Sequence, residues 1–121
     1  MLNKIKNDLG TITIDPEVIA RIAGLAATEC YGIVGMAAKS LRDGLVHLLK
    51  LESLSKGVVV QQAENNELII NLHIIVDYGT NLPAIANTLQ SNVRYQVEEC
   101  TGKRVNQVNI FIESVRAQQG V

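Results

Sequence analysis

The side chains that could hold a metal ion or act as a strong nucleophile are few and far apart in this sequence. They are Cys30, His47, His73 and Cys100. None of them forms a C-x-x-C or H-x-x-x-H pair, the spacings that bring ligands together on one metal ion. Cys30 falls on the apolar side of a predicted helix near its C-terminal end, where the helix dipole disfavours a thiolate. The sequence therefore predicts no metal, no cofactor and no catalytic residue.

Phosphate-binding loops and paired carboxylates are also missing from the pattern. Gly32 and Gly35 form a G-x-x-G, but the isoleucine and valine between them offer phosphate no charge. A helix end followed by a buried strand explains these glycines better. Glu98 and Glu99 are adjacent, and adjacent residues on a helix point in different directions, so they do not predict an acid–base pair.

One weak candidate for an anion site lies where a predicted strand meets a predicted helix. Its residues are Asp77, Tyr78, Thr80 and Asn81. Helix N-termini attract anions because their first amides are unpaired. Ordinary helix capping by Asn81 explains the same residues equally well.

Length and composition limit the class of protein. The chain has 121 residues, of which 47% are hydrophobic and 3% aromatic, so we expect one domain over residues 1–121 with an aliphatic core and an ordered part over about residues 9–116. The net charge of -1 provides no basic field for nucleic acid. No apolar run approaches the ~20 residues of a membrane span, and the two cysteines suit a reducing compartment, so we expect a cytoplasmic protein without direct membrane insertion.

Hydrophobic periodicity predicts a strand and a helix in the first part of the chain. Residues 11–14 alternate, which predicts a strand with Ile12 and Ile14 inward. Asp15 and Pro16 then suit a helix start, and Gly32 suits its end. The predicted apolar stripe of this helix is Val18, Ile19, Ile22, Ala23, Ala26 and Cys30.

The middle of the chain predicts a strand over residues 31–37 and a second, shorter helix. Ser40 and Asp43 have the spacing of a capping box. The apolar face of that helix would carry Leu41, Leu45, Leu48 and Leu49. A strand over residues 58–60 and a turn at residues 65–66 follow.

The clearest pattern is the alternation over residues 67–78. The predicted inward face carries Leu68, Ile70, Leu72, Ile74, Val76 and Tyr78. A long helix follows, with Asn81 as its cap and Gly102 at its end, and then a strand over residues 105–115 with Val108, Ile110 and Ile112 inward. These elements predict an α+β fold: a two-layer sandwich of a mixed β-sheet with two main helices on one face.

Several of these segments resemble the alkaline shock protein family, the general stress or envelope stress response proteins of Gram-positive bacteria. Residues 10–27 (GTITIDPEVIARIAGLAA) are similar to the family's opening strand, acidic cap and helix, and residues 31–36 (YGIVGM) to its G-V-x-G-M turn. Residues 74–80 (IIVDYGT) and 108–112 (VNIFI) are similar to its closing segments. The likeness covers nearly the whole chain and is greatest to the short, YloU-like members.

The resemblance implies a cytoplasmic, stress-associated protein, and for some members a link to the envelope through a membrane-anchored partner. It carries no catalytic residues. We therefore expect a non-enzymatic scaffold that contacts a second copy or another protein through the outer face of the sheet and its edge strand. The expected contact residues are Ile69, Ile75 and Phe111, which are apolar among polar neighbours. Two alternatives stay open: the segment of residues 41–54 folds over part of this face, or the protein binds a small ligand as an accessory to a lipid or phosphate enzyme.

Overall fold

The fold is built from two helices and a mixed sheet, as the periodicity predicts. A computed structural model describes residues 3–39 and 46–117. In chain order the elements are strands β1 (Asn3–Asn7) and β2 (Gly10–Ile14), helix α1 (Pro16–Thr28), strands β3 (Ile33–Lys39) and β4 (Val46–Leu48), a 3-10 segment (Leu51–Gly57), strands β5 (Val58–Gln62) and β6 (Leu68–Asp77), helix α2 (Leu82–Thr101) and strand β7 (Val105–Arg116). Strand β1 lies ahead of the predicted ordered part and pairs with β2 as a separate hairpin.

Strand β6 is the centre of the larger sheet. Strand β7 pairs with it in parallel along its whole length. On its other edge β5 pairs antiparallel with Leu68–Leu72, and β3 pairs antiparallel with Ile74–Val76. Strand β4 extends the sheet beyond β3. With neighbours on both edges, β6 is a central strand. The helices pack against one of its two faces.

The predicted caps are in place at both long helices. The Asp15 carboxylate accepts a hydrogen bond from the amide of Glu17 at 2.8 Å, and the Asn81 side chain accepts one from the amide of Ala84 at 3.2 Å. Each cap satisfies one of the orphan amides of a first helical turn. Helix α2 ends at Gly102, whose φ of +72° is the left-handed conformation that glycine adopts without strain.

Both helices pack on the same face of β6, which confirms the two-layer arrangement. Five residues of β6 are fully buried towards the helices: Leu68, Ile70, Leu72, Ile74 and Val76. They form one apolar cluster with Ile19, Ala23 and Ala27 of α1 and with Leu89, Val93 and Val97 of α2. Small residues let α1 approach the 3-10 segment closely, since a Cβ at Gly24 would lie 3.1 Å from Leu54 Cβ. The core is therefore aliphatic and closely packed.

Several inward assignments are wrong in detail. Val18 is half exposed, because α1 turns Ile19 and its small residues Ala20, Ala23, Gly24, Ala26 and Ala27 towards the core instead. Tyr78 is exposed, because β6 ends at Asp77 and the chain turns at Gly79, which has a φ of +82°. Ile12 is also half exposed, because the β1–β2 hairpin is a two-stranded sheet of its own.

The segment between β3 and β5 differs from its prediction. Helix α1 ends at Thr28, and Gly32 lies in the following turn with a φ of +89°. The prediction of a second helix is wrong for Leu48, because this residue lies in strand β4 opposite Ala37. The capping pair Ser40 and Asp43, with Leu41 and Leu45, lies outside the described residues. At Leu48, pairing with β3 therefore overrides the helical spacing of the leucines.

Candidate interaction surface

The outer face of the sheet, opposite the helices, is defined by the alternation of β6. Its residues there are Ile69, Asn71, His73, Ile75 and Asp77. The parallel register places Gln107, Asn109, Phe111 and Ser114 of β7 beside them. This face combines apolar and polar side chains, as the sequence predicts.

Phe111 and His73 form a stacked pair in the middle of the outer face. They are opposite each other in the β6–β7 register, and their ring centroids are 4.9 Å apart with an interplanar angle of 14°. Phe111 is 46% exposed, which is unusual for the single phenylalanine of an aliphatic protein. Stacking holds the aromatic ring in place while one side stays open to solvent.

His73 is also fixed by a carboxylate. Its Nδ1 lies 2.7 Å from Oε2 of Glu113, and both side chains are partly buried. Glu113 follows Phe111 by two residues, where the pairing of β7 with β6 is irregular. This pair and the stack are what inspection of the sequence missed: Phe111 and Glu113 have strand spacing, but only the register reveals that His73 lies beside them.

A row of amides crosses three strands next to the stacked pair. The Asn109 side chain donates to Asn71 Oδ1 at 2.8 Å, and the Asn71 side chain donates to Gln61 Oε1 at 3.4 Å. Side-chain amides carry both donors and acceptors, so such a row satisfies its inner groups and presents its ends to solvent. The polar part of the outer face is therefore pre-ordered.

Of the three predicted contact residues, Phe111 is exposed, Ile69 is half-buried and Ile75 is not exposed at all. Ile75 pairs with Gly35 of β3. A Cβ at Gly35 would lie 2.6 Å from Leu48 Cδ1, so the Leu48 side chain fills the space beside Ile75. The predicted exposure of Ile75 is wrong, and the alternative in which the connecting segment folds over part of this face describes this corner of the sheet.

The edge of β7 is half occupied by the protein itself. Gln90 and Arg94 of α2 donate to the carbonyl oxygens of Val108 and Asn106 at 3.0 and 3.4 Å. Glu98 accepts from the amide of Val105 at 2.9 Å. These three side chains are spaced one helical turn apart, so they follow the first part of the strand.

The second part of β7 exposes apolar side chains. Ile112 is 39% exposed and Val115 is 50% exposed. The prediction that Ile112 is buried is therefore wrong, since the side chain is partly exposed. Within residues 3–39 and 46–117, β7 pairs with β6 alone and has no strand on its other side. An edge of this kind leaves backbone groups available for another chain.

The predicted anion site at the start of α2 is occupied by local contacts. The Thr80 hydroxyl donates to the carbonyl of Asp77 at 2.7 Å, and Asn81 caps the helix through its side chain. The amides of Asp77 and Tyr78 donate to the carbonyls of Gly32 and Arg116. Capping and turn formation account for the polar residues gathered here.

The other chemically capable side chains do not converge. No group of three or more His, Cys, Asp or Glu that could hold a metal ion occurs in the described part of the chain. Cys30 is buried between the helices, where burial raises the pKa of its thiol, Asn92 lowers it through a hydrogen bond and Glu29 raises it by charge repulsion. Cys100 is exposed. No helix among the described residues is long and apolar enough to cross a membrane.

Comparison with known proteins identifies the family. The chain belongs to the alkaline shock protein 23 family, described as having a cell envelope-related function, whose model matches residues 4–117. This confirms the resemblance inferred from the motifs.

Individual relatives extend the comparison. The chain is 44% identical to "Uncharacterized protein YloU" of Bacillus subtilis over 114 residues, 93% of this chain and 94% of that protein. It is 32% identical to "Uncharacterized protein YqhY" of the same species, over 89% of this chain and 78% of that protein. It is 28% identical to a "Stress response regulator gls24 homolog" of Streptococcus pyogenes, over 91% of this chain and 61% of that longer protein. No solved structure matches this one.

Proposed function

We propose that this protein is a non-enzymatic interaction module that supports the cell envelope during stress by contacting another protein, or a second copy of itself, through the outer face of its sheet. The family's envelope-related description and the stress-response name of one relative support the physiological setting. A membrane-anchored partner would bring a chain of this kind to the envelope.

The observation that carries the proposal is the exposed Phe111 ring, held in a fixed orientation by His73. Rigid, partly exposed aromatic residues are typical centres of protein interfaces, because they bury a large area at little cost in side-chain entropy. The amide row beside it offers ordered hydrogen-bond donors and acceptors, as an interface rim requires. The exposed second part of the β7 edge lies alongside and supplies a second means of attachment.

Replacing Phe111 tests the proposal. Phe111→Ala should weaken association by about 2 kcal/mol, as for an interface hot spot, and leave thermal unfolding nearly unchanged because the ring lies outside the helix-packed core. Sedimentation velocity over a range of concentrations measures self-association, and crosslinked pull-down from cells measures association with other proteins. Tyr95→Ala, which removes an exposed aromatic from α2, is the matched control.

Two results would contradict the proposal. One is a wild-type chain that stays monomeric at high concentration and captures no protein whose recovery depends on Phe111. The other is a Phe111→Ala variant that unfolds at a much lower temperature, which would mean that the ring supports the monomer.

A further inference from the structure

A small cavity opens beside the His73–Glu113 pair on the outer face of the sheet. Its volume is about 200 Å³, and it is lined by Ala37, Ala38, Lys56, Val59, His73 and Glu113. Four strands and the 3-10 segment contribute these residues, so no short stretch of sequence contains the site. The two alanines leave the space open, and Val59 forms an apolar wall.

The polar side chains of the cavity have distinct roles. Glu113 is an acceptor when ionised, so the short contact to His73 Nδ1 requires the proton to lie on that nitrogen. In the neutral imidazole, Nε2 is then a hydrogen-bond acceptor. Stacking on Phe111 fixes the plane of the ring. Within residues 3–39 and 46–117, Nε2 makes no hydrogen bond and Lys56 forms no salt bridge.

The cavity thus combines one cation, one acceptor nitrogen and one carboxylate that is engaged by the imidazole. A ligand that matches it needs a negative oxygen for Lys56 and a hydroxyl proton for His73. A fully deprotonated anion satisfies the first requirement only, and it would also face the charge of Glu113 and the lone pair of Nε2. A volume of about 200 Å³ corresponds to about seven water molecules at ~30 Å³ each, which is enough for a tetrahedral oxyanion.

We propose that this cavity binds inorganic phosphate in a protonated form. One P–O⁻ accepts a hydrogen bond from the Lys56 ammonium, and one P–OH donates to Nε2 of His73. The site is separate from the strand end at Asp77, and the proposal does not rest on the interaction role of Phe111. It concerns a ligand, whereas that role concerns a protein partner.

The test titrates the full chain with inorganic phosphate at about pH 8, where inorganic phosphate retains one P–OH. The NMR signals of the His73 ring report binding directly, and the ring of Tyr95, exposed on helix α2, is an internal reference. Calorimetry provides the dissociation constant. Sulfate and glycerol 3-phosphate, whose sulfate and phosphate groups carry no proton to donate at this pH, are the matched competitors.

We expect saturable phosphate binding that shifts the His73 signals, with sulfate and glycerol 3-phosphate at least about tenfold weaker because they lack the donated hydrogen bond. Lys56→Gln should weaken binding about tenfold or more by removing a charge-assisted hydrogen bond. Ala38→Leu should abolish binding by filling the cavity without changing any charge. Lys4→Gln, which removes the same charge from the separate β1–β2 hairpin, is the control and should bind as the parent does.

Four results would overturn the proposal: no saturation by phosphate, binding of sulfate or glycerol 3-phosphate as tight as that of phosphate, unchanged binding in Ala38→Leu, or an equal loss in Lys56→Gln and Lys4→Gln. Lys56→Gln leaves Phe111 in place, so the association measurements separate a failure of this site from a failure of the proposed function.

Discussion

Truncating two isoleucines that face each other across β6 and β7 provides a matched test of where the core ends. Ile74 and Ile112 are paired in the register, but Ile74 is fully buried and Ile112 is 39% exposed. Ile74→Ala removes side-chain atoms from the centre of the helix-packed cluster and leaves a cavity, at a cost of about 2–5 kcal/mol. Ile112→Ala loses only part of the burial energy of an isoleucine and leaves no closed cavity, so its cost is about 1 kcal/mol.

Urea unfolding followed by circular dichroism separates these two values. With an m-value of about 1.5 kcal/mol/M, a loss of 3 kcal/mol lowers the midpoint by about 2 M, whereas a loss of 1 kcal/mol lowers it by about 0.7 M. The m-values of the two variants should agree with the parent, which shows that the comparison is one of stability. Equal midpoints, or a larger loss for Ile112→Ala, would refute the assignment of the helix-packed face and of β7 as its edge.

Two further predictions concern the contact between the helices. The Asn92 side chain donates to the carbonyl of Ala26 at 2.9 Å and contacts Cys30 Sγ at 3.6 Å. Asn92→Ala should therefore lower the free energy of unfolding by about 1–2 kcal/mol, as measured by thermal melts. An unchanged melting temperature would contradict a structural role for this bridge between the helices. Burial raises the pKa of Cys30, so its thiol should react with iodoacetamide much more slowly than exposed Cys100, as measured by peptide mass spectrometry at pH 8. Because the unfolded chain ionises this thiol at lower pH than the folded chain does, Cys30 should also make stability fall as pH rises above the ordinary thiol range, and Cys30→Ala should reduce that fall. Equal alkylation rates would contradict the burial of Cys30.

Much of the fold was predictable because its signals are local. The alternation in β6 has period 2 and marks its buried face directly, and the caps Asp15 and Asn81 act on amides two or three residues away. Gly102 ends α2 through its own backbone conformation. Each of these features depends on neighbours in sequence, so a reading of the chain finds them.

The errors occur where a residue's environment comes from distant parts of the chain. Ile75 has the spacing of an outward residue, but it is covered because Gly35 leaves room for Leu48 beside it. Val18 has helical spacing, but the close approach of α1 to its neighbours favours small residues at the contact. Burial at the margin of a core depends on which segments meet there, and local periodicity does not contain that information.

The α+β class, the family, the caps and the alternation that creates an outer sheet face follow from residue type and spacing along the chain. The side chains that this face presents together depend on the tertiary structure. The parallel register stacks Phe111 on His73 and brings Glu113 to its Nδ1, although the histidine and the carboxylate are 40 residues apart. The cavity with Lys56 likewise exists only where several elements converge. The physical reason is that strand pairing converts distant positions into neighbours, and its register depends on the packing of the whole sheet.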